Sequence, residues 1–422
     1  MASARGETSS PKTSVRPLLF RAGARYTCFG DGLCCHDIHG LGPITKRELV
    51  QIRRLDRRGA GWDEGFEDHM LSTAADGACH FLLPNLLCDV HARFGPEAKP
   101  EGCRRFPLGL TATPEGGRVT TFHRCTCRTL GDRPELTEQD VLPALQDRRG
   151  RPKADRRVKK VQLRRKGKRV AFAEWRALEA PLLEALQTGV APEPLLGAEP
   201  FPRLTKLHWE AFAEDLLDER DATAFGVAAA FFAEAVRLCL APAERSRWPR
   251  RPWADSYARA EARSPDARAP NAMLADWVAD EIWSLSWAEV TSFDVKRAEL
   301  ATRLALARRI YEGIEAKGTR PDRAMAEAIM IVELIGESEH WTDLLPRMRP
   351  PKEAEADGTK AKKAKKAKKA AAKKSAAKKS ASKKAREPGS ETSGAKTSSP
   401  KKKSSRKKKR RKADGGQPAS VA

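Results

Sequence analysis

Aromatic residues and long apolar runs are scarce in this 422-residue chain. Phe, Trp and Tyr make up 6% of it. The longest apolar candidate, residues 222–240, is interrupted by Glu234 and Arg237, so we predict no membrane span, which needs about 20 apolar residues. No charged start followed by an apolar run opens the chain, so no secretory signal is predicted. We therefore expect a cytoplasmic protein whose thiols stay reduced.

Sequence motifs of common enzyme classes are also missing. We find no Gly-rich strand–loop–helix for a nucleoside cofactor and no H-E-x-x-H helix. A Ser/His/Asp motif and a Cys-x3-Cys-x2-Cys motif of the radical type are likewise absent from the sequence. The residues alone therefore assign no catalytic or cofactor-binding side chain, and they leave open whether the protein is an enzyme.

What the chain does contain is a cluster of cysteines. Eight of its nine cysteines fall within about 100 residues, and two of them are adjacent: Cys28, Cys34, Cys35, Cys79, Cys88, Cys103, Cys125 and Cys127. Thiolates are the soft ligands that zinc and iron–sulfur clusters require. Because clustered cysteines in a reducing compartment favour metal binding over disulfides, we predict a zinc or iron/iron–sulfur site built from these eight thiols. The ninth cysteine, Cys239, lies in an apolar helical segment, where core packing is expected.

Five histidines lie near the cysteines in sequence, and each is a candidate metal ligand or proton-transfer group. Singly, a surface or supporting role is the expectation for each. His36 and His123 are the best candidates for a direct role; the others are His39, His80 and His91.

The cysteine pattern resembles a known family. The order Cys28…Cys34-Cys35, then Cys79-x8-Cys88, then Cys103-x2-Phe-Pro is similar to the zinc- or iron-chelating cysteine-cluster family of YkgJ type, with its C-x-x-C-x-x-C-C signature. Flagellin lysine-N-methylases belong to that family as well. The resemblance covers about residues 25–130. It implies a metal-binding module and, as an alternative function, protein-lysine methyl transfer with S-adenosylmethionine on a protein substrate.

This sequence departs from the family signature at one position. Asp31 stands where the signature has a cysteine. A carboxylate can ligate zinc through oxygen, but it suits an iron–sulfur cluster less well, which favours a mixed-ligand zinc or iron site. Alternatively, Cys125 and Cys127 complete the ligand count. Eight thiols can serve two four-ligand sites, or one site with spare thiols, and the sequence leaves both possibilities open.

Hydrophobic periodicity predicts a helical second half. Apolar residues recur every three or four positions in segments 172–186, 225–240, 273–285, 300–314 and 325–335, which is typical of amphipathic helices that pack in a bundle. A short hairpin is predicted before them, from 158–163 and 170–172. The fold class is therefore mainly α: a small Cys-rich, metal-stabilised α+β module, then a helical bundle, then a disordered basic tail. The predicted zones are a leader at 1–20, the module at 21–147, a basic linker at 148–169, a helical domain at 170–348 and the tail at 349–422.

Positive charge is concentrated in two segments. The net charge is +24, of which residues 352–422 carry +20 and residues 148–169 carry +12, leaving −8 for the rest. The tail is mostly Lys, Ala and Ser, so it cannot bury enough apolar surface to fold alone. Its lysines would neutralise phosphates without reading sequence; representative ones are Lys362, Lys363, Lys365, Lys366, Lys401, Lys402, Lys407 and Lys408.

We therefore predict non-specific nucleic-acid binding through the tail, and a cytoplasmic, nucleoid-associated location, with a purely solubilising tail as the alternative. The segment R-R-G-R-P-K at 148–153 looks like the core of an AT-hook. In such a motif, extended arginines like Arg149 and Arg151 enter a narrow minor groove. A plain basic linker is the alternative for these six residues.

Overall fold

Helices dominate the part of the chain that the structure describes, which is residues 13–30, 32–147, 149–218 and 223–350 of a computed structural model. This confirms the mainly α fold class. The helices are α1 (Lys46–Leu55), α2 (Asp89–Phe94), α3 (Glu101–Arg105), α4 (Thr126–Thr129), α5 (Glu138–Leu145), α6 (Phe172–Gln187), α7 (Glu193–Leu196), α8 (Trp209–Asp218), α9 (Ala224–Leu240), α10 (Ala254–Ala262), α11 (Pro270–Trp283), α12 (Phe293–Glu315), α13 (Pro321–Glu337) and α14 (Glu339–Leu344).

The strands are short and lie mostly in the first half of the chain. They are β1 (Leu18–Leu19), β2 (Ala60–Asp63), β3 (Asp68–Leu71), β4 (Leu108–Ala112), β5 (Gly117–Thr121), β6 (Arg156–Arg157), β7 (Lys160–Gln162), β8 (Arg169–Ala171), β9 (Arg203–Leu204) and β10 (Met348–Arg349). None of the described helices is long and apolar enough to cross a bilayer.

The five predicted amphipathic segments are confirmed as helices α6, α9, α11, α12 and α13. Helix α9 begins at a cap in which the Thr223 hydroxyl accepts a hydrogen bond from Gly226 N at 3.1 Å, and α6 ends just before Gly189, whose φ of +73° takes the left-handed conformation. Helices α9, α12 and α13 pack against one another. Their contact is filled by fully buried side chains such as Phe232, Leu304 and Ile329.

A four-stranded sheet in the order β1-β5-β4-β6 holds the first half of the chain together. Strands β4 and β5 are antiparallel, with Leu110 opposite Val119, and both of these side chains are buried. The predicted hairpin is confirmed, since β7 pairs antiparallel with β8, Val161 opposite Val170.

The segment predicted as a basic linker, 148–169, contributes strands of its own. Strand β6 pairs with β4, and Val158 and Val161 are buried in the main core. The Asp155 carboxylate accepts hydrogen bonds from Leu110 N at 2.7 Å and from the Arg105 guanidinium at 2.8 Å. This stretch is therefore ordered by pairing and burial, while its Lys and Arg heads stay largely at the surface.

A buried ion pair joins the sheet to the helices. Arg118 on β5 donates to both oxygens of Glu179 on α6, at 2.7 and 2.8 Å, and both side chains are fully buried. The Arg118 guanidinium also stacks on Trp283, 4.2 Å from the ring centre. Since β5 leads directly into the last cysteine segment, this pair helps to position the candidate site described next.

Candidate metal centre

Two glycines shape the first cysteine segment, which runs from Cys28 to Cys35. Gly30 and Gly32 have φ values of +68° and +75°, in the left-handed region that favours glycine. A Cβ added at Gly32 would lie 3.1 Å from the Leu86 Cβ. The chain then forms a 3₁₀ turn over Leu33–Cys35.

The adjacent cysteines of this turn lie close together. The sulfurs of Cys34 and Cys35 are 3.9 Å apart. Cys28 and Cys34 are exposed, whereas Cys35 is half-buried. Asp31, which stands where the family signature has a cysteine, lies outside the described residues.

The middle cysteines are fixed to the first segment by main-chain contacts. Cys79 N donates to Cys35 O at 2.8 Å, and Cys88 pairs with Leu82 and immediately precedes α2. Cys103 lies inside α3. All four of these cysteines pack against a small apolar cluster formed by Leu41, Ile44, Leu49, Ile52, Ala60, Leu71, Phe81 and Val90. The ligand loops are therefore pinned to a core of their own.

The last cysteines, Cys125 and Cys127, are buried at the start of α4. Phe29 N donates to the Cys127 sulfur at 3.5 Å, which ties this segment to the first one. Phe29 and Cys127 are about 100 residues apart in the chain, so this contact depends on the tertiary fold and not on the local sequence.

All eight clustered cysteines line one cavity of about 280 Å³. Tyr26, His91, Lys99 and Arg104 line it as well. The predicted thiols are thus brought together as a set. Cys239 lies elsewhere, packed against the helical core, where its sulfur is 3.9 Å from Ala305 O.

The thiols are spread around the cavity. Within the described ranges, three metal-ligating atoms lie within 4.8 Å of one another in a single group, His123, Asp276 and Asp280. A tetrahedral zinc–thiolate site with Zn–S bonds of about 2.3 Å would bring its sulfurs to roughly 3.8 Å. The sulfurs of Cys34 and Cys35, 3.9 Å apart, have that spacing, but no three of the described thiols lie within 4.8 Å of one another.

Burial holds the inner thiols in their neutral form. It raises the pKa of Cys103 to about 12, against a smaller opposing effect of Lys99. Burial also raises the pKa of Cys79, opposed by a hydrogen bond from the Phe81 main chain. Thiols must lose their protons to ligate a metal, so binding here would release protons and strengthen as the pH rises.

Tyr26 is surrounded by the other thiols. Its hydroxyl pKa is raised above its usual range, first by burial and then by Cys125, Cys28, Cys127 and Cys34. Tyr26 and Lys99 both line the cavity; Lys99 lies near Cys79 and Cys103, and Cys34 lies near these two thiols as well as near Tyr26.

A buried ionic network fixes the segment that carries Cys125 and Cys127. Arg128 on α4 donates to Asp276 at 2.7 Å and to Asp280 at 2.8 Å, both on α11. Arg21 pairs with the same two carboxylates. The pKa values of both aspartates are held below their usual range, because these two guanidiniums outweigh the opposing effect of burial.

Helix α13 holds the same segment from a second direction. The Glu333 carboxylate accepts the main-chain N–H of His123 at 3.1 Å and that of Arg124. The Arg124 guanidinium pairs with Glu337. The approach of Cys125 to the cavity is therefore set by helices more than 150 residues further along the chain.

The grouping of His123 with Asp276 and Asp280 belongs to this ionic network. His123 Nε2 lies 2.9 Å from the Asp280 carboxylate, and burial lowers the pKa of the imidazole, so it is neutral. Since Arg21 and Arg128 already occupy both carboxylates, a cation would have to displace them. His123 thus supports the last cysteine segment.

The other four candidate histidines occupy positions that the sequence did not predict. His91 lines the cavity. His80 pairs with Asp56 at 2.9 Å, and the His39 ring packs against Phe106 in a tilted arrangement, 5.2 Å between ring centres. The main chain of His36 bridges to Ala78. Of the five candidates, His91 is the one that lines the cavity in the described part of the chain.

Of the residues predicted to bind nucleic acid, the structure describes the two arginines of the basic loop and not the lysines of the tail. Arg149 and Arg151 are exposed in a tight loop, where the main-chain N–H of each donates to the Asp147 carboxylate, at 2.8 and 3.1 Å. The segment is thus a closed turn and not an extended strand as drawn for an AT-hook. The tail lysines predicted to contact nucleic acid lie outside the described residues, as does Arg148.

Comparisons with family models, with curated proteins and with solved structures returned no match.

Sequence reasoning found the thiols and missed their surroundings. The spacing of Asp276 and Asp280, four residues apart on a largely apolar helix, was the available signal for the ionic network. Lys99 and Arg104 bracket Cys103 in sequence, but nothing local indicates that they face the cavity. These contacts arise from packing between distant segments.

Proposed function

We propose that this protein binds an iron–sulfur-type metal centre through its clustered cysteines. The observation that carries the proposal is the convergence of all eight thiols on one cavity of about 280 Å³. Residues from three separate stretches of chain contribute to it. Reduced core cysteines that act as small hydrophobes would have no reason to gather around an open space.

The donor set fits this chemistry. Thiolates are the usual ligands of iron–sulfur clusters, and the eight thiols are joined at the cavity by two cationic side chains, Lys99 and Arg104, which would offset the negative charge of a thiolate-ligated cluster. Among the described residues no three of these sulfurs lie within 4.8 Å of one another, which also favours a polynuclear cluster, because its thiolates ligate different irons and stand further apart than around one zinc ion.

Protein purified without oxygen should therefore contain iron and acid-labile sulfide. Cys34→Ser and Cys103→Ser should each lower the metal content, since each removes a thiol that faces the cavity. Cys239→Ser is the matched control, because that thiol packs in the helical core and its loss should leave the metal unchanged.

Unchanged metal content in both cavity variants would contradict the ligand assignment. A loss of equal size in Cys239→Ser would contradict the specificity of the site. Circular dichroism on each variant separates loss of ligands from loss of the fold.

We further propose that the tail carries a polyanion-binding function beside the metal centre. Residues 352–422 hold +20 of the net charge of +24 and no aromatic residue. Lys-rich segments of this kind bind phosphates by counterion release, without base stacking. Methyl transfer, implied by the family resemblance, stays a prediction: no cavity residue identifies a nucleoside or lysine site.

A further inference from the structure

We infer that the cavity holds two metal centres with four thiolates each, one ligated by Cys28, Cys34, Cys125 and Cys127 and the other by Cys35, Cys79, Cys88 and Cys103. This inference rests on the proposed metal centre and goes beyond it by assigning the number of sites and the ligands of each. We call the first group the Tyr26 set and the second the Lys99 set.

The Lys99 set shares one apolar support. Cys35, Cys79, Cys88 and Cys103 are the cysteines that pack with the small cluster around Ile52 and Phe81. Cys79 N donates to Cys35 O at 2.8 Å, which fixes these two chain segments side by side. Lys99 lies near both Cys79 and Cys103. The four thiols therefore belong to one structural group, held by the same apolar cluster.

The Tyr26 set lies around a different side chain. Cys28, Cys34, Cys125 and Cys127 are the thiols that surround the Tyr26 hydroxyl. Phe29 N donates to Cys127 at 3.5 Å, so the loop after Cys28 is fixed to the last cysteine segment. None of these four cysteines is part of the apolar support of the Lys99 set.

Each set also has its own hydrogen-bond donor and its own cation. A main-chain hydrogen bond from Phe29 reaches Cys127 in the Tyr26 set, and one from Phe81 reaches Cys79 in the Lys99 set. Arg124 lies beside Cys125, as Lys99 lies beside Cys79 and Cys103. Hydrogen bonds to the sulfurs and nearby charges tune a metal–thiolate centre. Here each set of thiols has one such hydrogen bond and one nearby cation.

The boundary between the sets falls between two adjacent residues. The sulfurs of Cys34 and Cys35 are 3.9 Å apart. Cys34 lies near Cys79 and Cys103 as well as near Tyr26. We assign it to the Tyr26 set because Cys35, which is hydrogen-bonded to Cys79 and packs with the same apolar cluster, completes the Lys99 set. The two centres would therefore be neighbours, close enough for electron spins on them to interact. Each four-thiol set would release four protons to solvent when its thiols ligate a metal.

The test compares paired substitutions within and between the sets. Cys125→Ser/Cys127→Ser should lose the Tyr26-set centre, and Cys79→Ser/Cys103→Ser the Lys99-set centre, so each should keep about half of the wild-type iron and sulfide. The cross-set variant Cys79→Ser/Cys125→Ser has the same number of changes and should lose nearly all of both. Complete metal loss from a within-set variant whose circular dichroism is unchanged would overturn the partition.

A measurement on the unmodified full chain keeps the inference testable if variants unfold. After reduction with dithionite, electron paramagnetic resonance should show a broadened signal from interacting clusters that integrates to about two spins per chain. A sharp signal of about one spin would overturn the two-centre inference and leave the proposed function standing. Protein without any metal would contradict both. Two zinc ions per chain, half of them lost in each within-set variant, would support the partition and contradict the iron–sulfur proposal.

Discussion

At the scale of single residues, the cavity depends on backbone positions that glycine occupies without strain. Gly32, with φ of +75°, turns the chain between Cys28 and Cys34 and lies against Leu86. Gly318 also has a positive φ of +80°, but a Cβ there would meet nothing within 4 Å. An alanine at Gly318 would therefore meet only the cost of the backbone conformation, whereas an alanine at Gly32 would also crowd the side chain beside the thiols.

Gly32→Ala and Gly318→Ala should each lower the free energy of unfolding by about 1–2 kcal/mol, the cost of a left-handed conformation. Because an added methyl also displaces the Leu86 loop, Gly32→Ala should in addition lose iron, whereas Gly318→Ala should keep it. Urea unfolding and iron analysis check the two effects. Equal iron content in both variants would show that the Gly30–Gly32 turn does not set the thiol geometry.

A second residue-scale prediction concerns His39. Neither ring nitrogen of its half-buried side chain makes a hydrogen bond, and burial lowers the imidazole pKa to about 3. Between this value and the unfolded pKa of about 6.5, the unfolded chain binds more protons than the folded one. The stability that His39 contributes is therefore present above pH 6.5 and is lost as the pH falls toward 3.

His39→Phe keeps an aromatic ring against Phe106 and removes the titrating group. From pH 8 to pH 5 the wild type should lose about 2 kcal/mol more unfolding free energy than this variant does. Urea titrations at several pH values measure the difference. Parallel pH profiles for the two proteins would mean that the folded imidazole titrates normally.

The residue types of the site were predictable from sequence, and their neighbours were not. Eight clustered thiols are visible in the chain itself, because soft ligands at high density have few other uses. Tyr26, His91 and Lys99 reach the cavity through folding of separate loops. The sequence favoured His36 and His123, whereas it is His91 that lines the cavity, since proximity in sequence carries no information on side-chain direction.

At the scale of secondary-structure elements, buried ion pairs join the cysteine-bearing segments to the helices. The Arg118–Glu179 pair between β5 and α6 is fully buried. Breaking such a pair leaves one uncompensated charge, whereas replacing both partners with apolar residues removes the desolvation cost altogether.

Arg118→Met should therefore lower the unfolding free energy by about 3 kcal/mol, the low end of the range for a broken buried pair, because Arg176 still donates to Glu179 at 2.7 Å. The double variant Arg118→Met/Glu179→Met should recover most of that loss, because no buried charge is left without its partner. Chemical denaturation of the two variants measures the difference. A double variant as unstable as the single one would show that Arg118 acts through its stacking on Trp283 and not through charge.

The helices were predictable because each shows one apolar stripe over ten or more residues. Two-residue strands such as β1 and β6 carry no periodicity, so they could not be found in this way. Their pairing depends on partners far along the chain: β1 pairs with β5, and β6 with β4. The segment 148–169 illustrates the difference, since its charge predicts a linker, whereas Arg156–Arg157 pairs with the four-stranded sheet and Lys160–Gln162 pairs with β8 in a separate hairpin.

At the scale of the whole molecule, most of the net positive charge falls outside the described residues. The described residues include the cysteine cavity and the helices, while most of the net positive charge falls in residues 352–422. The composition of that segment could be read from sequence directly. The relation between its charge and a polyanion is a matter for binding experiments.

Truncation after Pro351 should abolish most retention on DNA at low salt, because it removes the Lys-rich segment that would displace counterions. The full chain should lose retention steeply as salt rises. Arg149→Ala/Arg151→Ala is the control for the basic loop, whose arginines are held in a closed turn, and it should retain DNA like the wild type. Undiminished low-salt retention after truncation would contradict the proposed role of the tail.

The central claim is that the eight thiols hold an iron–sulfur-type centre. The most direct test is the visible absorption spectrum of the full-length protein purified without oxygen, taken together with its iron and sulfide content. The account predicts a brown protein with a broad band near about 400 nm, from sulfur-to-iron charge transfer, that bleaches on reduction. A colourless protein with stoichiometric zinc and no sulfide would contradict it.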